Sequence, residues 1–138
     1  MGARETALNA LIACRKDGAW SNGVLKEYIH RDRLDARDAA LATRLCYGVL
    51  QNRLKLDFYL QQLLTGKVSK LHPAVRDILH LGLYQLYEMD KIPESAAVNE
   101  SVTLAKKYIL VSISKARLIL PFFSLIGALS SFSAGRIS

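Results

Sequence analysis

Few side chains in this chain could make or break a covalent bond, and none stands beside the partners such chemistry needs. The two cysteines, Cys14 and Cys46, have neither a CxxC spacing nor a histidine pair nearby. They read as buried free thiols rather than metal ligands or nucleophiles. His30, His72 and His80 are far apart and share no cysteine or carboxylate at ligand spacing, so no metal site is expected. Glu100, beside Asn99, invites a general-base reading, but Val98 and Val102 flank it at helical spacing. The expectation there is a carboxylate on a buried face, hydrogen-bonded to a neighbouring helix. No serine or cysteine occupies a nucleophile-elbow pattern, and no GxGxxG is present to hold a dinucleotide or S-adenosylmethionine. No catalytic residue, cofactor or metal is therefore assigned, and the chain is not expected to be an enzyme by itself.

Anion binding is the better chemical prospect. The formal charge of the 138 residues is +7, which favours an anionic partner such as RNA. Residues 1–108 hold sixteen Lys or Arg against twelve Asp or Glu, so only +4 lies there; Lys115, Arg117 and Arg136 supply the rest. Arg4 and Arg15 are eleven residues apart, about three helical turns, and Arg37 and Arg44 are seven apart, about two turns. Each pair therefore shares one helix face. With Arg31 and Arg33 between them, the two short stripes could straddle a phosphate backbone. The competing reading is that these charges only keep a bundle soluble, with Asp32, Asp35 and Asp38 neutralising part of the patch; the residues alone do not choose between the two. Tyr47, Tyr84 and Tyr87 could stack on bases, but their spacing among leucines assigns them to core packing. Trp20, between two helical patterns, reads as an anchor for that junction.

The elements that must position these groups are helices throughout. Ala3, Ala7, Leu8, Leu11 and Ile12 form one face of a first helix that Gly18 ends. Ser21 or Asn22 caps a second, with Val24, Leu25, Tyr28 and Ile29 on one side. Asp35 caps a third, with Asp38 in the first turn where the helix dipole favours a negative charge. Its buried side is Leu41, Leu45, Cys46 and Val49, and Gly48 within it suggests a close helix neighbour. Leu56, Tyr59, Leu60, Leu63 and Leu64 make a fourth helix that Thr65-Gly66 closes. His72-Pro73 opens a fifth, reaching about Met89 and apolar on nearly all sides, which places it at the centre of a bundle. Pro93 or Ser95 starts a sixth, with Ala97, Val98, Val102 and Ala105 inward. No alternating strand pattern competes, so the fold class is all-α.

Beyond Tyr108 the character of the chain changes. No acidic residue follows Glu100, and three of the four phenylalanines lie beyond position 120. The division expected is a helical domain over 1–108 and an atypical apolar, serine-rich tail over 109–138. Out-of-frame translation and a divergent tail that packs on the bundle are the two readings of that tail. Its apolar stretch from Leu118 to Phe132 contains Pro121 and is too short to span a membrane. Arg4 and Glu5 interrupt any early apolar run, so no signal peptide is expected, and a cytoplasmic location follows from that and from the free thiols.

Several stretches occur together in a telling order: Ala3-Arg4-Glu5, Gly18-Ala19-Trp20-Ser21-Asn22, Arg37-Asp38-Ala39-Ala40-Leu41, Tyr47-Gly48-Val49-Leu50, Tyr84-Gln85-Leu86, and Ile92-Pro93 with Ala96-Ala97-Val98-Asn99-Glu100. Through them roughly the first 105 residues resemble the N-terminal NusB-like domain of the bacterial 16S ribosomal RNA cytosine-5 methyltransferases, the RsmB or Sun family. The resemblance implies a bundle of two packed three-helix subdomains that binds RNA and helps place the enzyme on small-subunit ribosomal RNA. In the stand-alone NusB antitermination factor arginines near the same Ala-Arg-Glu motif help hold single-stranded RNA, which supports Arg4 directly and Arg15, Arg37 and Arg44 by position. That factor usually carries more arginines before the motif, where this chain has only Met1 and Gly2. Cytosine-5 methylation in that family uses S-adenosylmethionine and a cysteine in a Pro-Cys setting, and neither Cys14 nor Cys46 has one. The last helix, of the form Gly-Leu/Phe-Val-Asn-x-Val-Leu-Arg, is not matched. His80 stands where the family carries arginine, which puts one helix-to-helix or RNA contact in question. A free-standing antitermination factor acting with a ribosomal protein, and a protein-docking scaffold, are the alternatives to the methyltransferase module.

Overall fold

A computed structural model describes residues 2–64, 66–89 and 92–111. Six α-helices and one 3₁₀ turn make up the regular structure among them: α1 Ala3–Lys16, α2 Asn22–Arg31, α3 Ala36–Gln51, α4 Arg53–Leu63, the 3₁₀ turn Val68–Lys70, α5 Pro73–Glu88 and α6 Glu94–Val111. The fold is all-α. The chain divides into two compact units, Met1–Arg53 and Leu54–Ser138. The expected tail of residues 109–138 falls almost entirely outside the described residues, as does its stretch from Leu118 to Phe132. Helix α6 runs through Tyr108 without a break and is described as far as Val111.

In the first unit α1 packs against α2 and α3. Its buried stripe is Ala3, Thr6, Ala7, Ala10, Leu11 and Cys14, with Leu8 buried beside it, the three-and-four spacing that keeps one helix face inward. Alanines at three of these positions let α3 come close, and the Cys46 Sγ lies 3.6 Å from the Ala7 carbonyl oxygen, toward which its thiol donates. Ser21 caps α2 by accepting from the Val24 N–H. Asp35 caps α3 by accepting from the Asp38 N–H at 2.8 Å. Substituting such a cap typically costs about 1 kcal/mol. Leu45, Cys46 and Val49 are buried as the periodicity requires, Leu41 is half-buried, and on α2 only Leu25 is fully covered.

In the second unit α5 is the central helix. Its residues from Ala74 to Leu86 are buried except Arg76. The His72 side chain caps it, Nδ1 accepting from the Ala74 N–H at 3.2 Å, and Pro73 occupies the first turn, where a missing N–H costs nothing. Helix α6 crosses α5 at Gly82. A Cβ placed on Gly82 would sit 2.6 Å from the Ser101 Oγ, so the crossing depends on glycine facing a small residue. Ser101 is buried and donates to the Ala97 carbonyl at 2.8 Å. This corrects the inward face expected for α6. Ala97, Ser101 and Leu104 are buried, whereas Val98 and Val102 are only half-buried, because the Gly82 contact turns the small-residue side of the helix inward.

Candidate nucleic-acid interface

The four arginines singled out for RNA lie on two helices of the first unit. Arg4 and Arg15 are half-buried and flank the inward stripe of α1. Arg37 and Arg44 are exposed on α3. Helical spacing sets this second pair on the side of α3 away from Cys46, the residue that faces α1. Each pair is thus one strip along its own helix, and the two strips do not face one another.

The linking arginines behave differently from both pairs. Arg31 stacks its guanidinium 4.2 Å from the centre of the Tyr28 ring and donates from Nε to Asp32 Oδ1 at 2.9 Å. Asp32 also accepts from the Thr6 hydroxyl at 2.7 Å, joining the end of α2 to α1. Burial acts to raise the pKa of Asp32, but the hydrogen bonds from Arg31 and Thr6 outweigh it and hold the carboxyl below its ordinary value. Arg31 therefore serves the fold. Arg33 is exposed, has φ of 52°, and lines a shallow basic depression of about 670 Å³ with Lys26, Ile29, His30 and Leu34. Of the acidic neighbours expected to neutralise the patch, Asp32 pairs with Arg31, while Asp35 is used as a helix cap.

Of the groups considered for covalent chemistry, the two thiols are withdrawn from solvent and the carboxylate is not. Cys14 and Cys46 are both buried and free. Burial, with a smaller effect from Cys14, pushes the Cys46 thiol up to about 12, so almost no thiolate exists at neutral pH. Glu100 is exposed, which overturns the buried, helix-bonded carboxylate expected from Val98 and Val102; those two residues are not the buried side of α6. No group of three or more metal-ligating side chains is found among the described residues, and no helix there is long and apolar enough to cross a membrane.

His80 settles as a helix-to-helix contact. It is 2% exposed, and its Nε2 meets Asp57 Oδ1 of α4 at 2.7 Å. Asp57 also accepts from Arg76 Nε at 3.1 Å and from the same guanidinium's Nη2. The His80 Nδ1 has no hydrogen-bond partner. Burial lowers the His80 pKa, outweighing the pull of Asp57 in the other direction. Asp57 was not anticipated as a centre of contacts. The available signal was a carboxylate set between Leu56 and Leu60, but the helix supplying its partners could not be read from α4 alone. Of the tyrosines expected in the core, only Tyr84 is buried; Tyr87 is half-buried and stacks on Tyr59 with ring centres 4.1 Å apart, and Tyr47, also half-buried, meets Trp20 edge to face.

The comparisons with known proteins follow this architecture. A NusB family model matches residues 1–119. The chain belongs to the NusB family. It is 41% identical over 103 residues to the "Probable ribosomal RNA small subunit methyltransferase B" of Bacillus subtilis, a match covering 75% of this chain and 23% of that protein. With the protein of the same name from Synechocystis it shares 34% identity over 115 residues, 83% of this chain and 26% of the relative. With the "Transcription antitermination protein NusB" of Xanthomonas axonopodis pv. citri it shares 30% over 106 residues, 77% of this chain and 67% of the relative. The chain therefore spans about a quarter of the length of the methyltransferase relatives it matches.

Proposed function

We propose that this NusB-family chain is a cytoplasmic RNA-binding module of the kind that places a methyltransferase on small-subunit ribosomal RNA, and that it catalyses nothing by itself. The observation that carries this reading is the 41% identity, spanning the helical domain, to a protein named for ribosomal RNA methylation. The two arginine strips give the module a means of contact. Arg37 and Arg44 stand exposed two turns apart on α3, and Arg4 and Arg15 line the flank of α1; guanidinium groups are well suited to phosphate oxygens. S-adenosylmethionine would supply the methyl group in the whole enzyme, but the residues present do not fit it. There is no glycine-rich loop, and both thiols are buried. Cofactor binding and the nucleophile belong, on this reading, to sequence outside this chain.

The test is the salt dependence of binding to a small-subunit ribosomal RNA hairpin, followed by anisotropy. Three or four phosphate contacts on a single strand give a slope of log K against log salt of about −2 to −3. Arg37→Glu with Arg44→Glu should flatten that slope and weaken binding. Affinity unchanged between low and moderate salt would sink the phosphate contacts. The antitermination reading has its own observation, the match over 67% of a NusB protein's length, and a ribosomal protein would be its partner. Preference for an antitermination RNA element over the ribosomal hairpin would favour it.

A further inference from the structure

A second surface of the first unit combines charge, an aromatic ring and an apolar floor. At the end of α1 a pocket of about 240 Å³ is lined by Leu11, Cys14, Arg15, Trp20, Leu50 and Arg53, together with the Gly18-Ala19 turn. It is smaller than the roughly 300–1,000 Å³ of sites that enclose a whole drug-sized ligand, and its size suits one flat group. Among the described residues that line it there is no carboxylate. The indole is held from outside the pocket: Trp20 Nε1 donates to Asn22 Oδ1 at 2.9 Å, and the ring packs edge to face with Tyr47 at 5.7 Å between centres. A pre-set aromatic wall of this kind loses little entropy when a ring stacks on it.

Arg53 strengthens the case. It is exposed, so an anion can reach it, and it is the first residue of α4, directly after Asn52, the C-cap of α3. Arg15, in the last turn of α1, is where the helix dipole favours a cation, so its position needs no ligand to explain it.

We propose that the pocket formed by Trp20, Arg15 and Arg53 holds one nucleotide of a single-stranded RNA, with its base against the indole and its phosphate on the guanidinium groups. The proposal rests on the RNA-binding reading above and names a contact separate from the Arg37–Arg44 strip. An acidic peptide would also be drawn to the arginines, but its carboxylates would leave the indole and the Leu11–Leu50 floor unfilled. A base fills both, and stacking on an aromatic side chain tolerates any base.

Trp20 is the only tryptophan in the chain, so indole emission, excited selectively over the tyrosines, reports on this pocket. The full chain is titrated with a short oligouridylate. Indole emission is read in one experiment and the anisotropy of a dye-labelled copy of the same RNA in another. Saturable quenching that tracks the anisotropy is the expected result. Arg53→Glu should weaken binding about tenfold with an unchanged thermal midpoint, and Trp20→Ala should weaken it by about the same factor, as loss of one stacked base does. RNA bound by anisotropy with unchanged Trp20 emission and a wild-type Arg53→Glu response would overturn the pocket and leave the RNA-binding reading standing. Absence of any anisotropy change at low salt would overturn both. Equal quenching by a polyglutamate peptide would overturn the nucleotide in favour of a peptide.

Discussion

The unit ending at Arg53 and the unit beginning at Leu54 each tie two helices together with one carboxylate, but the carboxylates keep different company. In the first, Asp32 is met by a hydroxyl from α1 and by the guanidinium of its own neighbour, Arg31. In the second, Asp57 is met by Arg76 and by the buried imidazole of His80, both from α5. The first tie joins groups that keep their charge state throughout the neutral range. The second includes a histidine, the side chain whose ordinary pKa lies within that range. Two ties that look alike as helix-to-helix contacts should therefore respond differently to mutation and to acid.

Removing each carboxylate should separate them first. Asp57→Ala leaves a guanidinium and a buried imidazole without their shared acceptor. The cost expected is about 2–3 kcal/mol, below that of breaking a fully buried pair because the Arg76 side chain is 38% exposed and can turn to water. Asp32→Ala strands no group, since Arg31 is half exposed and the Thr6 hydroxyl keeps a second acceptor in the Gly2 carbonyl at 3.2 Å; it should cost about 1 kcal/mol. Urea midpoints of the full chain at neutral pH would measure both. Equal losses would mean that the imidazole adds nothing to the second tie.

Acid should sharpen the contrast on a smaller scale. The His80 pKa is held below its ordinary 6.5 by burial, so the unfolded chain binds that proton more readily than the folded one. Its contribution to stability is complete above about pH 6.5 and is lost as pH falls from there through the lowered folded value. Asp32 and Asp57 are both depressed below 3.8; their contributions hold until that pH and are lost only as acid reaches their folded values. Between pH 7 and 5, amides of α5 should lose protection from hydrogen exchange while those of α1 keep theirs. His80→Gln should remove that difference. A decline that persists in His80→Gln would assign it to another group.

The sequence shows some of this and hides the rest for physical reasons. Helix positions and their caps were legible because Ser21, Asp35 and His72-Pro73 act on backbone groups two or three residues away. The all-round burial of α5 was legible because an uninterrupted apolar periphery has no other use. The orientation of α6 was not, because it depends on Gly82 lying opposite Ser101, a match between two helices that neither pattern contains. The arginine stripes were correctly spaced along each helix, but spacing says nothing of how one helix turns relative to another. Arg31 was indistinguishable in sequence from a phosphate ligand; its engagement with Asp32 and Tyr28 is what sets it apart. Trp20 read as an anchor and is one, whereas the pocket it borders combines Arg15 and Arg53, residues from different helices.

The smallest expected effect lies within the first unit, at two helix ends built alike. After α1, the N–H groups of Gly18 and Ala19 bond back to the carbonyls of Arg15 and Cys14; after α2, those of Arg33 and Leu34 bond back to His30 and Ile29. Both closures require a left-handed residue, with φ of 85° at Gly18 and 52° at Arg33. Glycine adopts that conformation freely, and an L-residue pays about 1–2 kcal/mol for it. Nothing lies within 4 Å of a Cβ built on Gly18, so Gly18→Ala should cost about 1 kcal/mol for backbone reasons alone. Arg33→Gly relieves the same strain but frees the unfolded chain, and the net gain should be about 0.5 kcal/mol by urea midpoint. If Arg33→Gly instead lowers stability, the arginine side chain contributes to the fold through the depression it shares with Lys26 and His30. If it stabilises the chain and weakens RNA binding, the strain is kept for the sake of the charge, and this end of α2 belongs with the arginine strips.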